Sequence, residues 1–213
     1  NTGVIEANLG SVALASGNAV TLGLDPAGVI SIVVDEATLA NPQGKDAAVK
    51  NSGTIKANGG KVILTAKTLN GIFDRAINTD GIIEANSLDN RSGEIVIDAN
   101  QRVNVAGDIE AVGGRVTVNS QGADYSGSIN TSEGIYNASD GDTSVSGSYT
   151  GDQTWTDNIN IYVADNLSAT GSIGFVADAD NNGTGEFGLY AGKTLSSNGT
   201  LSITAGENIW FGA

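Results

Sequence analysis

Asn51-Ser52-Gly53-Thr54-Ile55-Lys56-Ala57-Asn58-Gly59-Gly60-Lys61-Val62-Ile63-Leu64-Thr65-Ala66 carries two phrases, each opened by glycine. The first, Gly53 to Ala57, reads Gly, any residue, an aliphatic, any residue, Ala. The second is Gly60-Lys61-Val62-Ile63-Leu64. Within each phrase the pattern has a period of two, the period of a strand with one face buried. Elsewhere the first phrase returns as Gly3-Val4-Ile5-Glu6-Ala7, Gly81-Ile82-Ile83-Glu84-Ala85 and Gly107-Asp108-Ile109-Glu110-Ala111, and more weakly as Gly127-Ser128-Ile129-Asn130-Thr131. The second returns as Gly10-Ser11-Val12-Ala13-Leu14, Gly93-Glu94-Ile95-Val96-Ile97 and Gly114-Arg115-Val116-Thr117-Val118.

Spacing turns these phrases into an architecture. Glycines of the first phrase step by 50, 28, 26 and 20 residues. The step of 50 reads as two coils, with Gly28-Val29-Ile30-Ser31-Ile32-Val33-Val34 as the missing phrase. From first phrase to second the offset is 7, 7, 12 and 7, and the longer one contains Ser87-Leu88-Asp89-Asn90-Arg91-Ser92, a polar corner insertion. A repeat this short cannot bury an apolar face alone, whereas stacked repeats bury a continuous core. The expected fold is all-β, a right-handed parallel β-helix of about eight or nine coils at ~4.8 Å each. Ile5, Ile55, Ile83, Ile109 and Ile129 should form one inward column, Val12, Val62, Ile95 and Val116 a second, and Leu14, Leu64, Ile97 and Val118 a third. Ala7, Ala57, Ala85 and Ala111 should fill a tight inner corner. Outside, Lys61, Glu94 and Arg115 fall on equivalent sites, as do Lys56 and Glu84, so opposite charges should lie above one another.

Composition narrows the chemistry. The 213 residues include 30 Gly, 2 Pro and no Cys, Met or His, which excludes disulfides, cysteine-ligated metal and the usual histidine base. The formal charge is -14, so the basic face that nucleic acid requires is missing. Residues 1–115 hold 9 basic and 13 acidic residues, while 116–213 hold 1 and 11. Ten of the eleven aromatics lie beyond residue 119. Two parts are therefore expected: a regular β-helix over 1–118, and a less regular, acidic, aromatic-bearing continuation over 119–213. The repeat starts at Asn1 without a polar cap and stops in the apolar Asn208-Ile209-Trp210-Phe211, so a longer native molecule, or ends that meet other copies, is expected.

Residues 1–118 resemble the later part of the haemagglutination-activity domain of filamentous-haemagglutinin-type, two-partner-secretion exoproteins. The resemblance rests on Asn51 to Ala66, on Ile32-Val33-Val34-Asp35-Glu36-Ala37, and on Gly81 to Ala85 followed by Gly93 to Ala99. It implies a secreted bacterial surface protein that crosses the outer membrane through a β-barrel transporter, often as an adhesin. That family's early Asn-Pro-Asn-Gly signatures have no counterpart here, and residues 119–213 resemble its shaft only loosely.

Two local features invite chemistry. Asp178-Ala179-Asp180-Asn181-Asn182-Gly183-Thr184-Gly185-Glu186 matches the opening of a calcium loop, with Asp178, Asp180, Asn182 and Glu186 as the candidate ligands. Position twelve is Leu189, so the bidentate Glu of an EF-hand is absent, and an Asx-rich corner is the plainer reading. No cofactor is required; calcium is the candidate ion. Tyr149, Trp155 and Tyr162 lie in a Ser/Thr/Asp-rich stretch and are candidates for a platform that binds sugar rings or a partner protein, or for a cover over the core. Asp98, Asp108 and Glu110 are the carboxylates that an enzyme would have to assemble.

The sequence therefore reads as the shaft of a secreted adhesin, not an enzyme, that attaches to host or surface glycans or proteins. The alternatives are a subunit of an extracellular filament or sheath, which would self-associate end to end, and a carbohydrate-active β-helix enzyme.

Overall fold

A computed structural model describes residues 1–24, 30–41, 43–131, 135–139 and 141–212, with 135–139 as backbone only. Among these residues there is no helix; the chain is all-β and its strands are gathered into sheets of fourteen, eight and two. The two large sheets are parallel throughout. The chain visits three strand positions in a fixed order and then returns one level on. Val4–Glu6 is followed by Ser11–Ser16 and Ala47–Asn51, and the next level by Thr54–Lys56, Lys61–Ala66 and Arg75–Thr79. Each strand pairs with its counterpart one level away: Ile5 with Ile55, Val62 with Ile95, Ile77 with Val103. Such an order is consistent with a parallel β-helix.

The inward columns form as their spacing predicts. Ile55, Ile83, Ile109 and Ile129 are paired level by level and buried. So are Val62, Ile95 and Val116, and Leu64, Ile97 and Val118. Ile5 and Leu14, on the first level, are partly buried against this core. Ala57, Ala85 and Ala111 occupy the tight corner with no exposed surface. The corner before each first phrase brings backbones too close for a side chain. A Cβ on Gly81 would fall within bonding-like distance of the Gly53 carbonyl oxygen, and Gly107 meets Gly81 in the same way. This is why glycine opens the phrase.

One reading is corrected. The step of 50 residues is a single level, since Val4–Glu6 pairs directly with Thr54–Lys56. Ile30–Glu36, read as part of a missing coil, instead pairs antiparallel with Ala19–Leu24 as a separate two-stranded sheet. Gly28 and Val29 lie outside the described residues. Ile30, Ile32 and Val34 lean over the outer face of the eight-stranded sheet near Ile63 and Thr65, and Ile63 is accordingly buried although it points outward. The physical reason is that period-two alternation identifies a strand without naming its partner.

The other insertion behaves as a corner. Leu88 and Arg91 exchange backbone hydrogen bonds of 2.9 and 3.0 Å, and Asp89 and Asn90 take φ of 51° and 61°, the left-handed pair of a type I′ turn. Glu94 still bonds to the Gly60 carbonyl at 3.0 Å, so the extra residues loop out and the register continues.

Further along, the two outer strand positions fuse. Thr143–Thr150 and Ile161–Ala169 each run through both, which joins the first and third positions into the fourteen-stranded sheet. The register shifts between Val145 and Gly147, where Gly147 has φ of 105°. The core changes material here, from aliphatic columns to aromatic rings.

Candidate functional site

The outer face of the stack carries the charge pattern read from the repeat. Glu94 is paired with Lys61 on one side and Arg115 on the other, with contacts of 2.8 and 2.6 Å. Lys56 meets Glu84 at 2.7 Å. Asp124 is held by both Arg75 and Arg102. Burial pushes the Glu94 carboxyl up, but hydrogen bonds and charge from Lys61 and Arg115 outweigh it and leave the group below its ordinary range. A depressed carboxyl contributes stability above its unfolded pKa, and that contribution is lost as pH falls through its folded value. Because the three side chains are partly exposed, the whole arrangement is worth on the order of 1 kcal/mol. Glu94→Gln should therefore lower the melting temperature slightly at pH 7, and the gap to the unaltered protein should be smaller at pH 3. Thermal melts at both values check this.

Asparagines reinforce the same stack at the corner after the first phrase. Asn8 Oδ1 accepts from the Asn58 amide at 3.1 Å, Asn58 Oδ1 from Asn86 at 2.8 Å, and Asn86 Oδ1 from Val112 at 2.8 Å. These residues satisfy backbone donors that the corner frees from the ladder. Their signal was available, since Asn follows the first-phrase Ala at 8, 58 and 86.

The Asp178–Glu186 segment folds as an Asx-bonded corner. The Asp178 carboxylate accepts the amides of Asn182, at 2.7 Å, and Gly183, at 3.0 Å. Asp180 accepts from the Asn182 side chain at 2.8 Å, and Asn182 Oδ1 accepts from both the amide and the hydroxyl of Thr184. Glu186 turns away to accept from Asn208 Nδ2 at 2.7 Å. The four candidate ligands thus point at donors within the corner or the next level, and among the described residues no group of three or more carboxylates converges as a metal site. Asp98 lies on the eight-stranded sheet, while Asp108 and Glu110 lie on the fourteen-stranded one, so the structure does not bring these carboxylates together.

Tyr149, Trp155 and Tyr162 are not brought together as a platform either. Trp155 has no exposed surface and Tyr149 is 3% exposed. Both belong to an internal aromatic column, in which Tyr149 packs edge-on to Trp155 at 5.0 Å and Trp155 stacks on Phe175 at 5.4 Å. Tyr125 joins from the other side at 6.4 Å, and Phe175 passes contact on to Phe187 at 4.8 Å. Burial drives the Tyr149 and Tyr125 phenols far above their ordinary value, so both stay neutral. The Tyr149 hydroxyl donates to the Ser146 carbonyl at 2.6 Å.

Tyr162 alone of the three faces outward, between buried Ile161 and Val163. There it meets two rings that the composition had not singled out. Tyr190 lies 6.1 Å from Tyr162, and Trp210 lies 6.2 Å from it. Tyr190 and Trp210 are stacked at 5.6 Å and 19°. The signal for Trp210 was the same alternation, since Ile209 and Phe211 flank it.

No protein-family model matches the chain, and no solved structure does. Over 115 residues the chain is 34% identical to a heme/hemopexin-binding protein of Haemophilus influenzae, a match that takes in 52% of this chain and 11% of that protein. The chain therefore spans a small part of that relative's length.

Proposed function

We propose that this chain is a segment of a secreted bacterial surface exoprotein of the two-partner-secretion type. In this reading it is a right-handed parallel β-helix of eight coils, the regular part over 1–118 and the acidic, aromatic-bearing part over 119–213, and it serves in attachment. The observation that carries the reading is the parallel pairing, level by level, from Val4–Glu6 to Ile209–Phe211, with one register shift between Val145 and Gly147. A stack of this kind can fold level by level as it leaves a narrow outer-membrane β-barrel, and a chain without cysteine needs no oxidation step on the way. The local likeness to a protein named for binding heme and hemopexin supports a binding role rather than a catalytic one. Those ligands are not carried over, because the shared segment is a tenth of that protein. Folding outside the cell would bias transport outward. Ile55→Asp with Ile83→Asp in the full-length exoprotein, produced with its transporter, should slow its appearance in the culture medium. Export at the unaltered rate would argue against the reading.

A further inference from the structure

We propose that Tyr162, Tyr190 and Trp210 form a surface platform for the apolar face of a neutral sugar ring. This deepens the adhesive reading and rests on it.

Tyr162 and Trp210 occupy outward positions on the fourteen-stranded sheet, and Tyr190 follows directly on its strand Phe187–Leu189. The outward column at this site runs Lys50, Asn78, Asn104, Asp124, Ser144, Tyr162, Gly188, Trp210. Polar side chains satisfy this position along most of the stack, so the sheet itself does not call for aromatics. Gly188 leaves a gap between Tyr162 and Trp210, and the indole lies across it: a Cβ on Gly188 would run into the six-membered ring of Trp210. Covering a glycine explains one ring. It does not explain Tyr190, which is 43% exposed and stacked on that indole, nor Tyr162 beside them.

Shape and charge choose the occupant. A cage for an alkylammonium group needs rings whose faces surround a void. Here Tyr190 and Trp210 stack at 19° and Tyr162 leans against both at 47° and 42°, so the rings pack on one another instead of caging a cation, and an exposed ring face suits the flat C–H face of a pyranose. A row of planar hydrogen-bonding groups runs along one flank. Asn160 donates to Asp142 at 2.9 Å and accepts from the Glu186 amide at 2.9 Å, and Asn208 donates to Glu186 at 2.7 Å. Burial first, and then the charges of Asp142 and Glu186, raise the Tyr162 phenol. Residues 116–213 hold a single basic residue against 11 acidic ones, so sulfated or carboxylated glycans are repelled.

The two tryptophans make the test direct. Trp210 is at the surface, while Trp155 is sealed in the core and reports folding. The chain is titrated with cellohexaose, maltohexaose and mannohexaose, and with a heparin hexasaccharide as the anionic control, following acrylamide quenching of tryptophan emission. At least one neutral hexasaccharide should shield the quenchable emission saturably. Tyr190→Ala should weaken that binding at least tenfold, and Trp210→Ala, followed by calorimetry, should abolish it, with the Trp155 emission of each variant unchanged. Binding to none of the neutral sugars, equal binding by Tyr190→Ala, or preference for the heparin fragment would overturn the platform. Attachment of bacteria displaying the full-length exoprotein is scored separately. Attachment without sugar binding overturns the platform and leaves the adhesive reading in place. Sugar binding without attachment keeps the platform and overturns adhesion.

Discussion

Ile83→Asp is expected to cost about 4 kcal/mol or more, among the largest effects a single substitution produces. Ile83 has no exposed surface and is paired with Ile55 on one level and Ile109 on the next. Truncating a buried Ile costs about 2–5 kcal/mol through lost burial and the cavity left behind. A carboxylate there adds the penalty of a buried charge without a cation, because Lys56 and its neighbours lie on the outer face. In a stack held by nearest neighbours, the damage should stay local. Hydrogen exchange should therefore accelerate over Thr54–Lys56, Ile82–Glu84 and Asp108–Ala111, with Ile173–Ala177 keeping its protection. Ile83→Val, which only removes a methylene, should cost about 0.5–1.5 kcal/mol. Unchanged exchange in the aspartate variant would mean that Ile83 is not inside.

Trp155→Ala should be the counterpart in the second half, at about 3–5 kcal/mol. Its indole touches Tyr125, Tyr149 and Phe175, so truncation opens a hole where three rings converge. The surrounding rings are attached to separate strands of both large sheets and cannot all collapse into it. The expected result is loss of near-ultraviolet circular dichroism from the aromatic column and faster exchange over Gln153–Asp157 and Ile173–Ala177. Trp155→Phe should cost much less. The indole N–H is buried without a hydrogen-bond partner, so phenylalanine keeps the stack on Phe175 and discards an unsatisfied donor. A Trp155→Ala protein with unaltered near-ultraviolet signal would contradict the interior placement.

The two halves differ in how openly the sequence displays them. In the first half, Gly81 to Ala85 shows an aliphatic inside, charge outside and glycine at the close approach, so face and register follow from one phrase. Ile30–Glu36 shows what alternation leaves open. Its apolar positions suit a ladder or a hairpin equally, so alternation alone does not choose between them. Trp155 was harder to place because its inward neighbours Gln153 and Asp157 are polar, which breaks the hydrophobic alternation. The surface aromatics were legible by contrast: Ile161-Tyr162-Val163 and Ile209-Trp210-Phe211 both put the aromatic opposite two apolar residues. What the sequence could not supply was the meeting of Tyr162 with Tyr190 and Trp210, which depends on pairing across levels. The acidic loop at Asp178–Glu186 was ambiguous in the sequence for a related reason, since Asx corners and calcium loops share residue types and differ in where the oxygens point.

Successive passes stack in parallel, one strand spacing per level. Cysteine-free, the chain accepts paired spin labels readily. Lys50→Cys is combined in turn with Asn104→Cys, Ser144→Cys and Tyr162→Cys, positions that lie two, four and five levels along one outward column. Electron paramagnetic resonance should return backbone separations of roughly 10, 19 and 24 Å, rising by ~4.8 Å per level. Separations that do not grow with level number, or a Lys50 to Ser144 distance of a single strand spacing, would contradict the stack.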